Sequence, residues 1–224
     1  MNHATQPRIN RWEIVTWCLR GVIILTVPLL VVTRDLPYAV FGVGGVALAC
    51  MPALLARSHH AKFPVALELV LLWLIITDLT VGRLGGFYEL WPWYDKALHF
   101  IDAFLIAMIA FTIVYLFHLI GHLRPHSWID GLIILLITLG LGALWELGEY
   151  AADRVLGRAT QGSPEMAPLD DTMFDLLLDG AGGLLAAIAG PIYIAHSKRS
   201  WRHVEGFAEL MSTKPRRRRR SGSR

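Results

Sequence analysis

Charge is what this sequence has least of. Only 17% of its 224 residues are charged, where a soluble domain of similar length carries about 25%, and mean hydropathy is +0.48. That shortage argues against a soluble helical protein with a greasy core, because too little polar surface remains to cover the apolar segments. Cysteine is scarce as well. Cys18 and Cys50 lack the spacing of a metal or redox motif, and both read as small buried hydrophobes within apolar stretches. No internal repeat and no Pro/Gly-broken helix pair is visible, features that many transporters show. A cleavable signal is not evident either. The first apolar stretch is longer than a signal h-region and no small-residue cleavage site follows it, so it is expected to stay as an anchor.

Apolar runs dominate what is present, with 54% of residues hydrophobic. A bilayer core about 30 Å thick needs roughly 20 apolar residues per helix. Six such stretches are readable, at about 12–33, 37–57, 64–82, 95–120, 128–150 and 172–196. Their short links predict an all-α, polytopic transmembrane helical bundle. The division expected is a cytoplasmic N-terminus over 1–11, a six-span domain over 12–196 and a disordered basic tail over 197–224.

The lysines and arginines orient it. Fifteen of the 21 lie at the N-terminus (Arg8, Arg11), in links two–three (Arg57, Lys62) and four–five (Arg124), and in the tail. With six spans these segments share one side, and the positive-inside rule makes both termini cytoplasmic. The tail ends in "KPRRRRRSGSR", and a nucleic-acid partner is not expected because nothing beside it resembles a recognition fold. Arg216, Arg217, Arg218, Arg219 and Arg220 instead suit anionic lipid head groups, on the order of 1 kcal/mol per basic residue near a membrane.

With this topology the acids become informative. "WYDKALHFIDAF" places Asp95, Lys96, His99 and Asp102 in the outer turns of span four, and "LWELGEYAAD" places Glu146, Glu149 and Asp153 at the outer end of span five. "LDDTMFDLLLDG" places Asp171, Thr172, Asp175 and Asp179 in span six, while Asp78 lies near the outer end of span three. Asp95, His99 and Asp102 are spaced i, i+4, i+7; Asp171, Asp175 and Asp179 i, i+4, i+8; Glu146, Glu149 and Asp153 i, i+3, i+7. Each set is one helix stripe. A charge buried at membrane depth costs at least about 2.5–3.5 kcal/mol on insertion scales, so such groups face a bundle interior or a polar cavity.

Three uses compete for this cluster. Pure packing would pair the acids with Lys96, Arg83, Arg154 and His99, but the acids outnumber nearby bases about two to one. A divalent ion (Mg, Mn, Ca or Zn) would offset the surplus, with Glu146, Glu149, Asp175 and His99 as ligands. Transport of a proton, ion or small solute is the third use, although the inner half holds little beyond Glu68 and the imidazoles of His118, His122 and His126. Blander features accompany these. "GRLGGFYELWPWY" reads as an interfacial aromatic belt or lid, "GAGGLLAAIAG" with Gly140 and Gly142 as a close-packing surface, and Arg20 as a snorkelling side chain.

"YDKALHF", "LWELGEY" and "DDTMFDLLLDGAGG", in that order, resemble the YjdF-like family of bacterial inner-membrane proteins over roughly residues 60 to 195, leaving the first span and the tail outside the matched blocks. The resemblance implies a multi-pass bacterial cytoplasmic-membrane protein, and the family pattern falls on Asp95, Lys96, His99, Glu146, Glu149, Asp171, Thr172, Asp175 and Asp179. The shorter "DKALHF" also resembles VanZ-like proteins, associated with glycopeptide antibiotic response. The expected function is metal-dependent action on a phosphate-bearing lipid or envelope precursor in an outward-facing acidic pocket. There Lys96 would contact phosphate, His99 would serve as ligand or general acid/base, and Asp95 would orient them. A proton- or ion-coupled transporter and a non-catalytic membrane factor in envelope stress are the alternatives.

Overall fold

Lipid leaves unpaired backbone polar groups nowhere to go, so an apolar chain that crosses it must be helical. The computed structural model shows this outcome. It describes residues 11–59, 65–119, 127–157, 160–161 and 166–196, and among these there is no strand. The helices are α1 (Arg11–Val32), α2 (Leu36–His59), α3 (Val65–Ile75), α4 (Phe87–Leu90), α5 (Tyr94–Leu119), α6 (Ser127–Leu156) and α7 (Pro168–His196). Six spans are long and apolar enough to cross a membrane, α3 doing so together with the segment that follows it. Many large apolar side chains point outward, among them Leu25, Val40, Leu54, Leu136, Leu144 and Leu177. A soluble fold would hide them; here they meet lipid. Cys18 is also exposed and Cys50 only half-buried, so the expectation of two buried thiols is corrected.

Three elements differ from the pattern read in the sequence. α6 runs to Leu156 rather than 150, and α7 begins at Pro168 rather than 172; their polar first and last turns hide the helix from an apolar-run reading. Span three changes character at Ile76, continuing to Leu84 as a π-helix. The Tyr94 hydroxyl donates to the Thr77 carbonyl at 2.7 Å, and the Thr26 and Thr80 hydroxyls meet at 2.8 Å. Such tertiary partners suit a widened turn, and composition alone has no mark for one. Gly86, with φ of +73°, then turns the chain into α4.

The spans form two groups, each with its own core. α1, α2 and α3 share Ile23, Leu30, Ala49, Leu72 and Leu79. α5, α6 and α7 share Ala107, Ala110, Val114, Ile134 and Ala186. The second core is built on small residues, which let helix backbones approach closely where lipid supplies no hydrophobic drive. At Gly182 a Cβ would lie 2.5 Å from the Phe100 carbonyl oxygen and 2.9 Å from the Phe104 nitrogen, so α7 rests directly on the α5 backbone.

Arg20 does not snorkel. It is 2% exposed, pairs with Glu68 on α3, donates from Nε to the Ala49 carbonyl at 2.9 Å on α2, and lies over the Trp17 ring. The guanidinium fork can satisfy several acceptors at once, so it ties three helices together. Arg83 likewise serves links, bonding Asp35 and Glu89 instead of the acidic stripes. Arg154 lies over the Tyr150 ring.

Candidate functional site

α5 and α7 both start at the same end of the bundle, so their opening turns lie side by side. Lys96 and His99 are one turn apart on α5 and face the stripe of Asp171, Asp175 and Asp179 on α7. Lys96 Nζ reaches Asp171 Oδ1 and Asp175 Oδ2 at 2.6 Å each and Asp95 Oδ2 at 3.0 Å. An ammonium has three donors, and all are engaged here. One turn deeper, His99 Nδ1 lies 3.2 Å from Asp179 Oδ1. The opposite ring atom, Nε2, is 3.5 Å from Glu146 Oε1, 3.9 Å from Asp95 Oδ1 and 4.0 Å from Asp175 Oδ1. Asp95 and Asp175 thus close around one imidazole nitrogen from α5 and α7, and Glu146 on α6 approaches the same nitrogen while lying outside the mutually close set.

The atoms facing that point are poorly satisfied, whereas the atoms facing away are held. Glu146 Oε1 and Asp175 Oδ1 are buried without a hydrogen-bond partner, in side chains 5% and 1% exposed. Their other oxygens are secured: Asp175 Oδ2 by Lys96, and Glu146 Oε2 by the Thr172 hydroxyl at 2.7 Å. Thr172 Oγ1 accepts from Gln161 Nε2 at 3.1 Å, and Gln161 also reaches the Glu146 carbonyl. Asp153 completes this outer layer by accepting from the Thr160 hydroxyl and from the backbone N–H groups of Thr160 and Gln161. Asp95, His99 and Asp175 have the mutual spacing of a metal-ligand set.

The remaining expected residues fall around this point. Glu149 is within electrostatic range of Asp95, Glu146 and His99 but belongs to no closed ligand set. Asp153 holds the link after α6, so it supports the site from outside. Asp78, on the π-helical segment, accepts from the Tyr88 hydroxyl at 2.8 Å. Tyr88 sits between spans three and four; burial first, and then the nearby carboxylates of Asp78 and Asp95, hold its hydroxyl proton well above the ordinary pKa. Asp102 Oδ1 and Asp179 Oδ2 are buried without partners. Arg216, Arg217, Arg218, Arg219 and Arg220, with the rest of the tail, lie outside the described residues, as do His122 and His126. His118 is 3.2 Å from Asp130.

Beside the cluster, between the two helix groups, is a cavity of about 570 Å³. Asp78, Tyr88, Asp95, His99, Asp102 and Asp179 supply its ionisable lining, and the rest is mainly apolar side chains of α2, α3, α5 and α6. Gly142 on α6 belongs to the wall for a steric reason: a Cβ there would overlap the Asp179 carboxyl group. Gln161, Tyr88 and Gly142 were not among the expected site residues. The place of Tyr88 in the aromatic run before span four and of Gly142 in the small-residue packing surface were the signals available for two of them.

Fold and site define a multi-pass helical membrane protein with an internal acidic cluster and bilayer-facing surfaces. The chain belongs to the family described as "Predicted membrane protein (DUF2238)", whose model matches residues 15–196. This is consistent with the YjdF-like resemblance, and it extends the match through the first span, which had been expected to lie outside. A protein of Thermotoga maritima, described as an uncharacterized protein, is 28% identical over 155 residues, covering 67% of this chain and 73% of the relative. No solved structure matches the chain.

Proposed function

We propose that the cluster is a divalent-metal centre formed by His99, Asp95, Glu146 and Asp175, and that the protein uses it on a phosphate-bearing lipid or envelope precursor in the bacterial cytoplasmic membrane. The carrying observation is the division of labour within each ligand. Asp95 Oδ1, Asp175 Oδ1 and Glu146 Oε1 each approach His99 Nε2, the first two with the mutual spacing of a ligand set, while the far atoms of the same side chains are held by Asp179, Thr172 and Lys96. A carboxylate holding the distal N–H of a histidine, with the other ring nitrogen free, is the usual outer layer of a metal site. A mixed imidazole–carboxylate set suits Zn²⁺ or Mn²⁺ as well as harder ions.

Charge supports the same reading. Among the described residues, Lys96 and His99 are the bases that Asp95, Glu146, Asp171, Asp175 and Asp179 meet, and Asp78, Asp102 and Glu149 add further acid nearby. Such a site repels a bare phosphate, whereas a bound dication offsets the carboxylates and can polarise a phosphoryl oxygen. Asp95 and His99 also line the cavity, so they are the ligands placed to meet substrate. Lys96 has no donor left for phosphate, and its role becomes holding Asp171, Asp175 and Asp95 in place. With the termini on the cytoplasmic side the centre opens away from the cytoplasm, and the basic tail meets anionic lipid. The VanZ-like element, residues 95–100, contributes Asp95, Lys96 and His99 to the same cluster and fits an envelope role.

The test is metal analysis of the purified protein, with melting in detergent for wild type, Glu146→Gln and Asp175→Asn, each with and without chelator. Wild type should hold about one equivalent of a divalent metal and melt lower after chelation, since a ligand that binds only the folded state stabilises it. The two variants should lose metal and hardly respond. An equal response in all three proteins, or none in any, would refute the centre.

A further inference from the structure

The cavity beside the centre has its own chemistry. Its carboxylates run down the α5 side from Asp95 to Asp102, about 10 Å of helix rise, with Asp179 also in the wall, while α2, α3 and the turn below Asp102 contribute aliphatic side chains such as Leu48, Leu71 and Ile106. From Asp95 to Ile106 the rise of an α-helix gives roughly 16 Å, about half the thickness of a bilayer core. The volume of about 570 Å³ is within the range that accepts one ligand of modest size. Among the described residues, α2 and α6 both line this space without substantial packing on each other. The side chains flanking the gap, such as Leu48 and Leu141, are about half exposed.

We propose that this seam is the slot for a single hydrocarbon chain, entering sideways from the bilayer between α2 and α6, so that the substrate is a single-chain phosphate amphiphile. The inference rests on the metal reading for the phosphate end only. The slot itself stands on a cavity that sets carboxylates beside mainly aliphatic walls, which complements a phosphate head and one hydrocarbon chain. An unsealed gap facing lipid also lets a chain slide in without leaving hydrocarbon. A free, water-soluble phosphate would leave the apolar part unused. A two-chain lipid would place its second chain outside the gap.

Gly44 allows a direct test. It lines the seam, and a Cβ there meets nothing within 4 Å, so a side chain can start from this position into the seam. Full-length protein in nanodiscs is illuminated with a dodecyl phosphate carrying a mid-chain diazirine; adducts are mapped by mass spectrometry and metal content is measured on the same samples. Adducts should concentrate on the seam-facing residues of α2 and α6. Unlabelled dodecyl phosphate should compete for them, with dioleoyl phosphatidic acid at least about tenfold weaker and inorganic phosphate ineffective. Gly44→Phe, and Leu141→Trp from the opposite wall, should each cut labelling at least about tenfold while metal content stays at the wild-type level. Adducts spread over all lipid-facing helices and insensitive to both variants would overturn the slot, as would effective competition by inorganic phosphate. Seam labelling in protein that holds no metal would support the slot and refute the metal centre; metal without seam labelling would do the reverse.

Discussion

Lys96 and His99 sit one turn apart on the same helix, yet the structure gives them different work. Lys96 faces three carboxylates with three donors and forms a closed ion cluster. His99 is held at one nitrogen by Asp179 and leaves the other facing unsatisfied oxygens. Removing Lys96 and removing the charge of Glu146, which faces His99, should therefore have opposite signatures. Lys96→Met strands the buried Asp171 and Asp175 and should cost about 3–5 kcal/mol, the usual penalty for breaking a buried pair by deleting one member. The loss should appear in unfolding by denaturing detergent even with chelator present. Glu146→Gln instead removes one of several repelling charges and should leave the metal-free protein at least as stable as wild type. A Lys96→Met variant that unfolds like wild type would show that the neighbouring acids carry no charge for the lysine to balance.

Register at the level of the helix depends on α5 and α7. Gly182 and Gly183 bring α7 against the α5 backbone and Thr138 of α6, and Gly142 leaves room for Asp179. Without those small residues the stripes would stand too far apart for the short contacts at Lys96. Gly182→Ala forces a methyl against the Phe100 carbonyl and the Phe104 nitrogen, atoms that cannot rotate away. It should cost about 1–3 kcal/mol, as overpacking does, and lower metal retention as well. Gly140→Ala is the matched control, because a Cβ there meets nothing within 4 Å on an exposed helix face; it should leave both melting and metal retention unchanged. Equal effects from the two substitutions would mean that helix propensity, rather than close approach, sets the response.

For the whole molecule, topology decides whether the cluster can act on an envelope substrate. The described part has six spans, an even number, so residues 11 and 196 lie on one side; the lysine and arginine bias predicts that this side is cytoplasmic. A reporter that is active only outside the cytoplasm, fused after Arg224, should be silent, while the same reporter inserted in the link between α6 and α7 should be active. The reverse pattern would turn the acidic end toward the cytoplasm and remove the envelope substrate from the proposal.

Much of this was legible in the sequence because bilayer physics leaves few choices. Long apolar runs must be helices, and their number and polar flanks set spans and sides. Acids repeating at helical spacing had to share faces, and cost alone turned those faces inward. What the sequence left open was what each acid meets. Asp153 and Glu146 lie on the same stripe, yet one secures a link and the other faces His99. Arg20 and Arg83 looked like an anchor and a spare counter-ion, but they join helices and links. The π-helical turn at Asp78 and the seam between the helix groups leave no periodic mark in the chain. Such features come from pairings between distant residues, where partner, distance and burial are set only when the helices pack. Helical spacing tells which side chains share a face; only tertiary packing decides what that face meets.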